Sequence, residues 1–160
     1  MKFRKIVQLS LVAFMFGCST DESMQLTENQ KAKISDEIKA LWQKSVEGIE
    51  QLDANSAFDI FSEDPDSKYV RNGHLYLSIE QARQQYAQWF SKPQPKKKLD
   101  YETFELDILD RNTVIITAVA KLYKVGDSTE TAEPLTIGYT VVWRKEPVGW
   151  KVINMHTSWP

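Results

Sequence analysis

The spacing of apolar residues changes period once along this chain, near residue 99, and the change divides a helical part from a stranded part. Before it, Ile34, Ile38, Leu41, Trp42, Ile49 and Leu52 recur at helical spacing and form one apolar stripe. Thr27 and Gln30 stand at the spacing of a capping box, in which each side chain satisfies the other's backbone N–H, so the helix is expected to start there. Gly48 predicts an end or a bend. A second, short helix is expected from near Asp53, with Ala57, Phe58 and Phe61 on its buried side. Asp64-Pro65-Asp66 stops it, because a residue preceding proline avoids helical geometry. Tyr69-Val70-Arg71, Asn72-Gly73 and His74-Leu75-Tyr76 read as a two-residue hairpin, since Asn-Gly accepts the positive φ angles of a type I′ turn. Ser78 caps a third helix with Gln81 as its box partner; Ile79, Ala82, Tyr86, Trp89 and Phe90 form its apolar side, and Pro93 and Pro95 end it.

From Leu99 onward the period is two. Phe104, Leu106 and Ile108 alternate with Thr103, Glu105 and Asp107, Asn112 is a turn residue, and residues 113–123 make a β-branched strand. A polar loop over 126–133 precedes a third strand over 135–144, and Pro147-Val148-Gly149 turns the chain into a last strand over 150–159. Four long strands on short connections predict a strongly curved antiparallel sheet. The fold class is α+β, in one domain without internal repeats.

The N-terminus has its own pattern. Lys2, Arg4 and Lys5 precede an apolar run over 6–16, and then come Gly17, Cys18, Ser19 and Thr20. That order marks a secretory signal. The run is about half the roughly 20 residues that span a bilayer, so no permanent transmembrane helix is expected there. The placement of Cys18 resembles a bacterial lipoprotein signal. The resemblance implies a signal peptide over 1–17, a lipidated tether over 18–26 and a folded domain over 27–160. The membrane partner would then be reached through acyl chains on Cys18, two or more of which suffice for stable anchoring. Ser19 after Cys18 implies sorting to the outer membrane, facing the periplasm, in a Gram-negative host. The alternative is an ordinary secreted protein with an incidental cysteine, although no small-x-small cleavage site stands out nearby.

Cys18 is the single cysteine. Once it carries lipid, the mature chain has no disulfide, no thiolate nucleophile and no cysteine-ligated metal. A formal charge of -2 makes no electrostatic case for nucleic acid. Five Trp, six Tyr and seven Phe are a heavy aromatic load, suited to a thick core, a ligand cavity or an interface.

Three helices, a hairpin between the second and third, and a four-strand meander make an element order similar to that of the NTF2-like superfamily. Two local patterns carry the resemblance: the hairpin over 69–76 leading into the Ser78 helix, and the ending Gly149-Trp150-Lys151-Val152-Ile153-Asn154-Met155-His156-Thr157-Ser158. The ending resembles the Gly-Trp-Lys-Ile-x-x-x-His-x-Ser close of SnoaL-like and DUF4440-type members, with Asn154 where another histidine is often found. The resemblance implies a cone: a sheet curled around helices, with a pocket open at one end and an outer face that often pairs with a second copy as a homodimer. Members include isomerases, cyclases, dehydratases and binding domains, and fold alone does not choose among them.

Two readings of the chemistry follow. An enzyme needs an acid-base group inside the cone and a partner for developing charge. His156 matches the family histidine on the last strand and would face the cavity as general acid-base, with Tyr69 or Tyr139 as hydrogen-bond donor; alternatively its ring only fixes the sheet edge. His74 adjoins the hairpin turn and is expected in solvent. No paired carboxylates are visible: Glu105 and Asp107 alternate with apolar residues, and Asp59 flanks Phe58 and Ile60. No metal site or cofactor is expected from two distant histidines. A binding domain asks for less, an apolar cavity with a few polar anchors. Trp42, Tyr69, Tyr86, Trp89, Tyr139 and Trp143, with His156, are the candidate ligand-binding residues, and Tyr139, Val141 and Trp143 share one strand face. Lys96, Lys97 and Lys98 read as a solvated loop, or as a contact to anionic lipid. Binding of a small apolar ligand or a partner protein is the favoured expectation, with a SnoaL-like enzyme as the alternative.

Overall fold

The computed structural model describes residues 25–125 and 133–160. Cys18, the signal, most of the tether and the 126–132 part of the polar loop lie outside the described residues.

Helix α1 (Glu28–Gln51) starts on its capping box: the Gln30 N–H donates to Thr27 Oγ1 at 3.2 Å and the Thr27 N–H to Gln30 Oε1 at 2.9 Å. Gly48 does not end it. The helix runs on to a left-handed cap at Leu52 (φ 61°). Gly48 instead permits close packing, since a Cβ there would lie 2.8 Å from the Ser56 carbonyl carbon and 2.9 Å from the Ala57 Cα. Helix α2 (Ala54–Phe58) crosses at that point, capped by Asp53 and tied back by the Ser45 hydroxyl, which donates to the Ala57 carbonyl at 2.6 Å.

The hairpin forms as read, with β1 (Lys68–Arg71) and β2 (His74–Tyr76) joined through Asn72 (φ 48°) and Gly73 (φ 81°). Helix α3 (Ile79–Phe90) begins at Ser78, whose hydroxyl accepts from the Gln81 N–H. The box is not reciprocal: Gln81 Oε1 accepts from Leu77 N–H at 2.8 Å, one residue earlier than expected. The long strands are β3 (Lys96–Ile108), β4 (Thr113–Val125), β5 (Leu135–Glu146) and β6 (Gly149–Ser158). The lysine run is therefore the start of β3 and not a loop. It pairs with the end of β4, Lys96 with Val125 and Lys97 with Lys124. Lysine is at home here because β3 is a sheet edge, where charge blocks unwanted pairing.

The six strands form one sheet in the order β2-β1-β6-β5-β4-β3. Strands β3 to β6 are a consecutive antiparallel meander, as the period of two implied. The hairpin joins it by a parallel pairing of β1 with β6, Tyr69 beside Met155 and Arg71 beside Thr157. Two irregularities bend the sheet. Between Tyr101 and Thr103 the register slips so that Glu102 is extra on β3, and between Val142 and Trp143 it slips so that Ile153 is extra on β6. Such bulges tighten local twist. The helices cover the inner face, where Val114, Ile116, Val141, Trp143 and Val152 are fully buried and meet Ile38 and Trp42 of α1. The outer face, where the resemblance implies a second copy, carries half-buried Ile115, Val142 and Ile153 beside exposed Thr117 and His156.

Gly48→Ala tests the α1–α2 contact. Overpacking typically costs about 1–3 kcal/mol, more than the about 0.5–1 kcal/mol that alanine returns as helix propensity. A lower denaturation midpoint with an unchanged m value is expected. An equal or higher midpoint would mean that the two helices are not in backbone contact.

Candidate functional site

A cavity of about 810 Å³ lies between the three helices and the inner face of the sheet, open at one end. Its deep wall is aromatic. Trp42 comes from α1, Phe58 from α2, Tyr86 from α3, and Tyr69, Tyr101 and Tyr139 from three strands. Each arrives on the apolar stripe or inner face of its element, so the periodicity that builds the core also builds this wall.

The polar atoms of the wall are largely paired with one another. The Tyr69 and Tyr86 hydroxyls share a hydrogen bond of 2.7 Å, and Trp42 Nε1 donates to the Tyr101 hydroxyl at 2.9 Å. Edge contacts lock the rings, Phe58 on Tyr86 at 4.9 Å between centroids and Trp42 on Tyr139 at 5.8 Å. Burial pushes the phenols of Tyr69, Tyr86, Tyr101 and Tyr139 upward, so all four stay protonated at neutral pH. They are hydrogen-bond donors and not bases. Thr157 Oγ1 is buried on β6 with no partner among the described residues.

The open end is cationic. The Arg71 guanidinium stands 4.7 Å from the Trp159 ring centre, 5.0 Å from Trp89 and 5.1 Å from Tyr86. Asn72 holds Trp159 in place, accepting on Oδ1 from its N–H at 3.3 Å, while the Asn72 N–H donates to the Thr157 carbonyl. Lys97 Nζ lies 3.5 Å from the centre of the same Trp89 ring, buried and without a hydrogen-bond partner among the described residues. Burial, with the charges of Arg71 and Lys124 adding to it, pushes the Lys97 amine down to about 8. Glu50 anchors this rim by accepting from the Leu99 N–H at 2.9 Å.

Of the residues expected from the sequence, Trp42, Tyr69, Tyr86, Trp89 and Tyr139 line the one cavity. Trp143 does not. It shares the inner face with Tyr139, but at 0% exposure it is core, and its Nε1 has no partner among the described residues. His156 does not line it either: it is exposed on the outer face, paired with Thr140 and Val70. The physical reason is the bulge at Ile153. Trp150 and Val152 are buried on the even positions of β6, and Met155 and Thr157 on the odd ones, so the extra residue turns His156 outward. His74 is exposed beside Tyr76. The sequence reading did not find Arg71, Lys97 or Trp159. Arg71 was within reach, since strand alternation puts it on the face of Tyr69. Lys97 was not, because the bulge at Glu102 reverses the alternation counted back from Phe104.

Among the described residues, carboxylates reach this cavity at its exposed rim, through Asp100 and Glu133. Among the described residues no three His, Cys, Asp or Glu side chains gather as a metal site.

The fold is similar to several solved structures. An NTF2-like superfamily protein from Salmonella enterica serovar Typhimurium LT2 is 17% identical with a TM-score of 0.69, covering 81% of this chain and 93% of that one. An NTF2-like protein of unknown function from Pseudomonas putida KT2440 is 11% identical with the same TM-score, over 81% and 88% of the two chains. One from Shewanella oneidensis MR-1 is 15% identical with a TM-score of 0.65, over 78% and 98%. None of the curated proteins matches the chain. Residues 38–160 match the family model of the SnoaL-like domain, and with the curved sheet, the three helices and the cavity between them, the chain belongs to that family.

Proposed function

We propose that the protein is a binding protein that holds a small, largely apolar molecule in the cone, at a membrane surface to which Cys18 anchors it. One observation carries the reading: a cavity of about 810 Å³, within the usual span of about 300–1,000 Å³ for small-molecule sites, walled by rigid rings whose polar atoms are mostly satisfied. Acid-base chemistry has little to work with there. The four phenols stay protonated, the carboxylates are at the rim and His156 is outside. The anchor is supported by the order of charge, apolar run, Gly17 and Cys18.

Titration of the full chain with 6-phenylhexan-1-ol, followed by tryptophan fluorescence and calorimetry, tests the cavity. Saturable binding is expected. Leu122→Trp, which puts bulk into the open end from the inner face of β4, is expected to weaken it at least about tenfold, roughly 1.4 kcal/mol, with the fold intact. Unchanged affinity in that variant would place the ligand elsewhere.

His156→Ala separates binder from enzyme. An exposed residue away from the cavity is expected to leave alcohol affinity unchanged and stability within about 0.5 kcal/mol. Loss of binding with an intact fold would bring back the SnoaL-like enzyme with His156 at its centre.

Cys18→Ser tests the anchor. The parent protein is expected in the membrane pellet and the detergent phase of a Triton X-114 separation, and the variant in the aqueous phase. Equal partitioning of the two would remove the lipid from the account.

A further inference from the structure

Four cations, Arg71, Lys97, Lys98 and Lys124, line the open end of a largely apolar cavity, with Asp100 and Glu133 at its rim. Arg71, Lys97 and Lys124 make no ion pair among the described residues, whose salt bridges involve Lys31, Arg83, Lys121, Arg144 and Lys145. Lys97 and Lys124 are direct cross-strand partners, and like charges placed opposite each other oppose the pairing. Lys97 Nζ is buried with no acceptor among the described residues, which is unfavourable for an ammonium group unless something else supplies one. Arg71 is held among three rings, and its fork of donors meets no carboxylate among the described residues. Both cations are seated on the one Trp89 ring.

We propose that the cavity takes an organic acid: an apolar body among Trp42, Phe58, Tyr86 and Tyr139, and a single carboxylate held at the open end by the Arg71 guanidinium and the Lys97 ammonium. The assignment rests on the cavity being a binding site and adds the class of ligand to it. A carboxylate fits this pair because a guanidinium binds it with two parallel hydrogen bonds, and an ammonium adds a third donor and a point charge. Aromatic rings attract the cations without competing for their N–H groups. The ends of the ligand are thereby sorted, with the charged head at the water side and the body inside. A neutral ligand offers the Lys97 ammonium at most an uncharged and weaker acceptor.

The proposal has a pH signature. The groups facing Lys97 are Arg71 from β1, Lys124 from β4, and Trp89 and Phe90 from α3, while Lys98, Asp100 and Glu133 also line the cavity. In the empty cavity its amine is charged below a pH of about 8 and neutral above it. Affinity for an acid is therefore expected to fall as pH rises past that point, by at most about tenfold per unit for one proton, while affinity for an alcohol stays level.

The experiment compares 6-phenylhexanoate with 6-phenylhexan-1-ol on the full chain, from pH 6.5 to 9.5. At pH 7 the acid is expected to bind at least tenfold more tightly. Lys97→Met and Arg71→Met should each lower acid affinity far more than alcohol affinity and so remove most of that advantage, and Lys97→Arg should restore it. Lys97→Met should also flatten the pH profile. Lys97 sits near the start of an edge strand, so its variants decide the matter if Arg71→Met fails to fold. Equal affinities for acid and alcohol in the parent protein, or an advantage that survives Lys97→Met, would overturn the organic-acid assignment and leave the apolar cavity standing. Binding of neither compound would overturn both.

Discussion

One extra residue in each of two strands decides which side chains enter the cone. Strand alternation is strict, so a single inserted residue exchanges the inner and outer sets for everything beyond it. On β3 the insertion is Glu102, whose carboxylate goes to the outer face and pairs with Lys121 at 2.6 Å. Leu99 and Tyr101 thereby join Phe104, Leu106 and Ile108 on the inner face, and Lys97 follows them inward. On β6 the insertion is Ile153, which keeps Met155 and Thr157 inside and turns His156 out. A cavity with a cationic mouth, and without an internal histidine, is the joint result. The same bulges curve the sheet enough for three helices to lie across it.

A hollow of this size survives because its walls are rings fixed by one another. A flexible aliphatic wall would relax into the space, since interiors otherwise pack densely. Here Trp42 is held by the Tyr101 hydroxyl and flanked by Phe104 and Tyr139, and Tyr69 and Tyr86 fix each other through their phenols. The parallel pairing of β1 with β6 completes the arrangement. It brings Tyr69 and Arg71, from early in the chain, beside Thr157 and Trp159 at its end.

Much of the architecture was legible in the sequence. Thr27, Asp53 and Ser78 cap helices because a short oxygen-bearing side chain can reach the free N–H groups of a first turn, and that geometry is local. Asn72-Gly73 makes its turn for an equally local reason, the tolerance of positive φ. Gly48 misled because its missing side chain answers to α2 and not to its own helix. The lysine run misled because charge in a row looks like a loop until a neighbouring strand makes it an edge. Five of the aromatic residues singled out line the cavity because each lies on an apolar stripe or inner face. Trp143 lies on one too, and nothing in the pattern separates a ring that fills the core from a ring that walls a cavity.

Periodicity, caps and turn residues are interactions over a few positions of chain, and by themselves they determined three helices, a hairpin and a meander closing into an α+β cone. The residues that distinguish this cone by its chemistry were decided only in three dimensions. Whether Lys97 and His156 face the cavity or solvent depends on the positions of the two bulges. A bulge is a mismatch between partner strands, so it belongs to the pair and is written in neither strand alone.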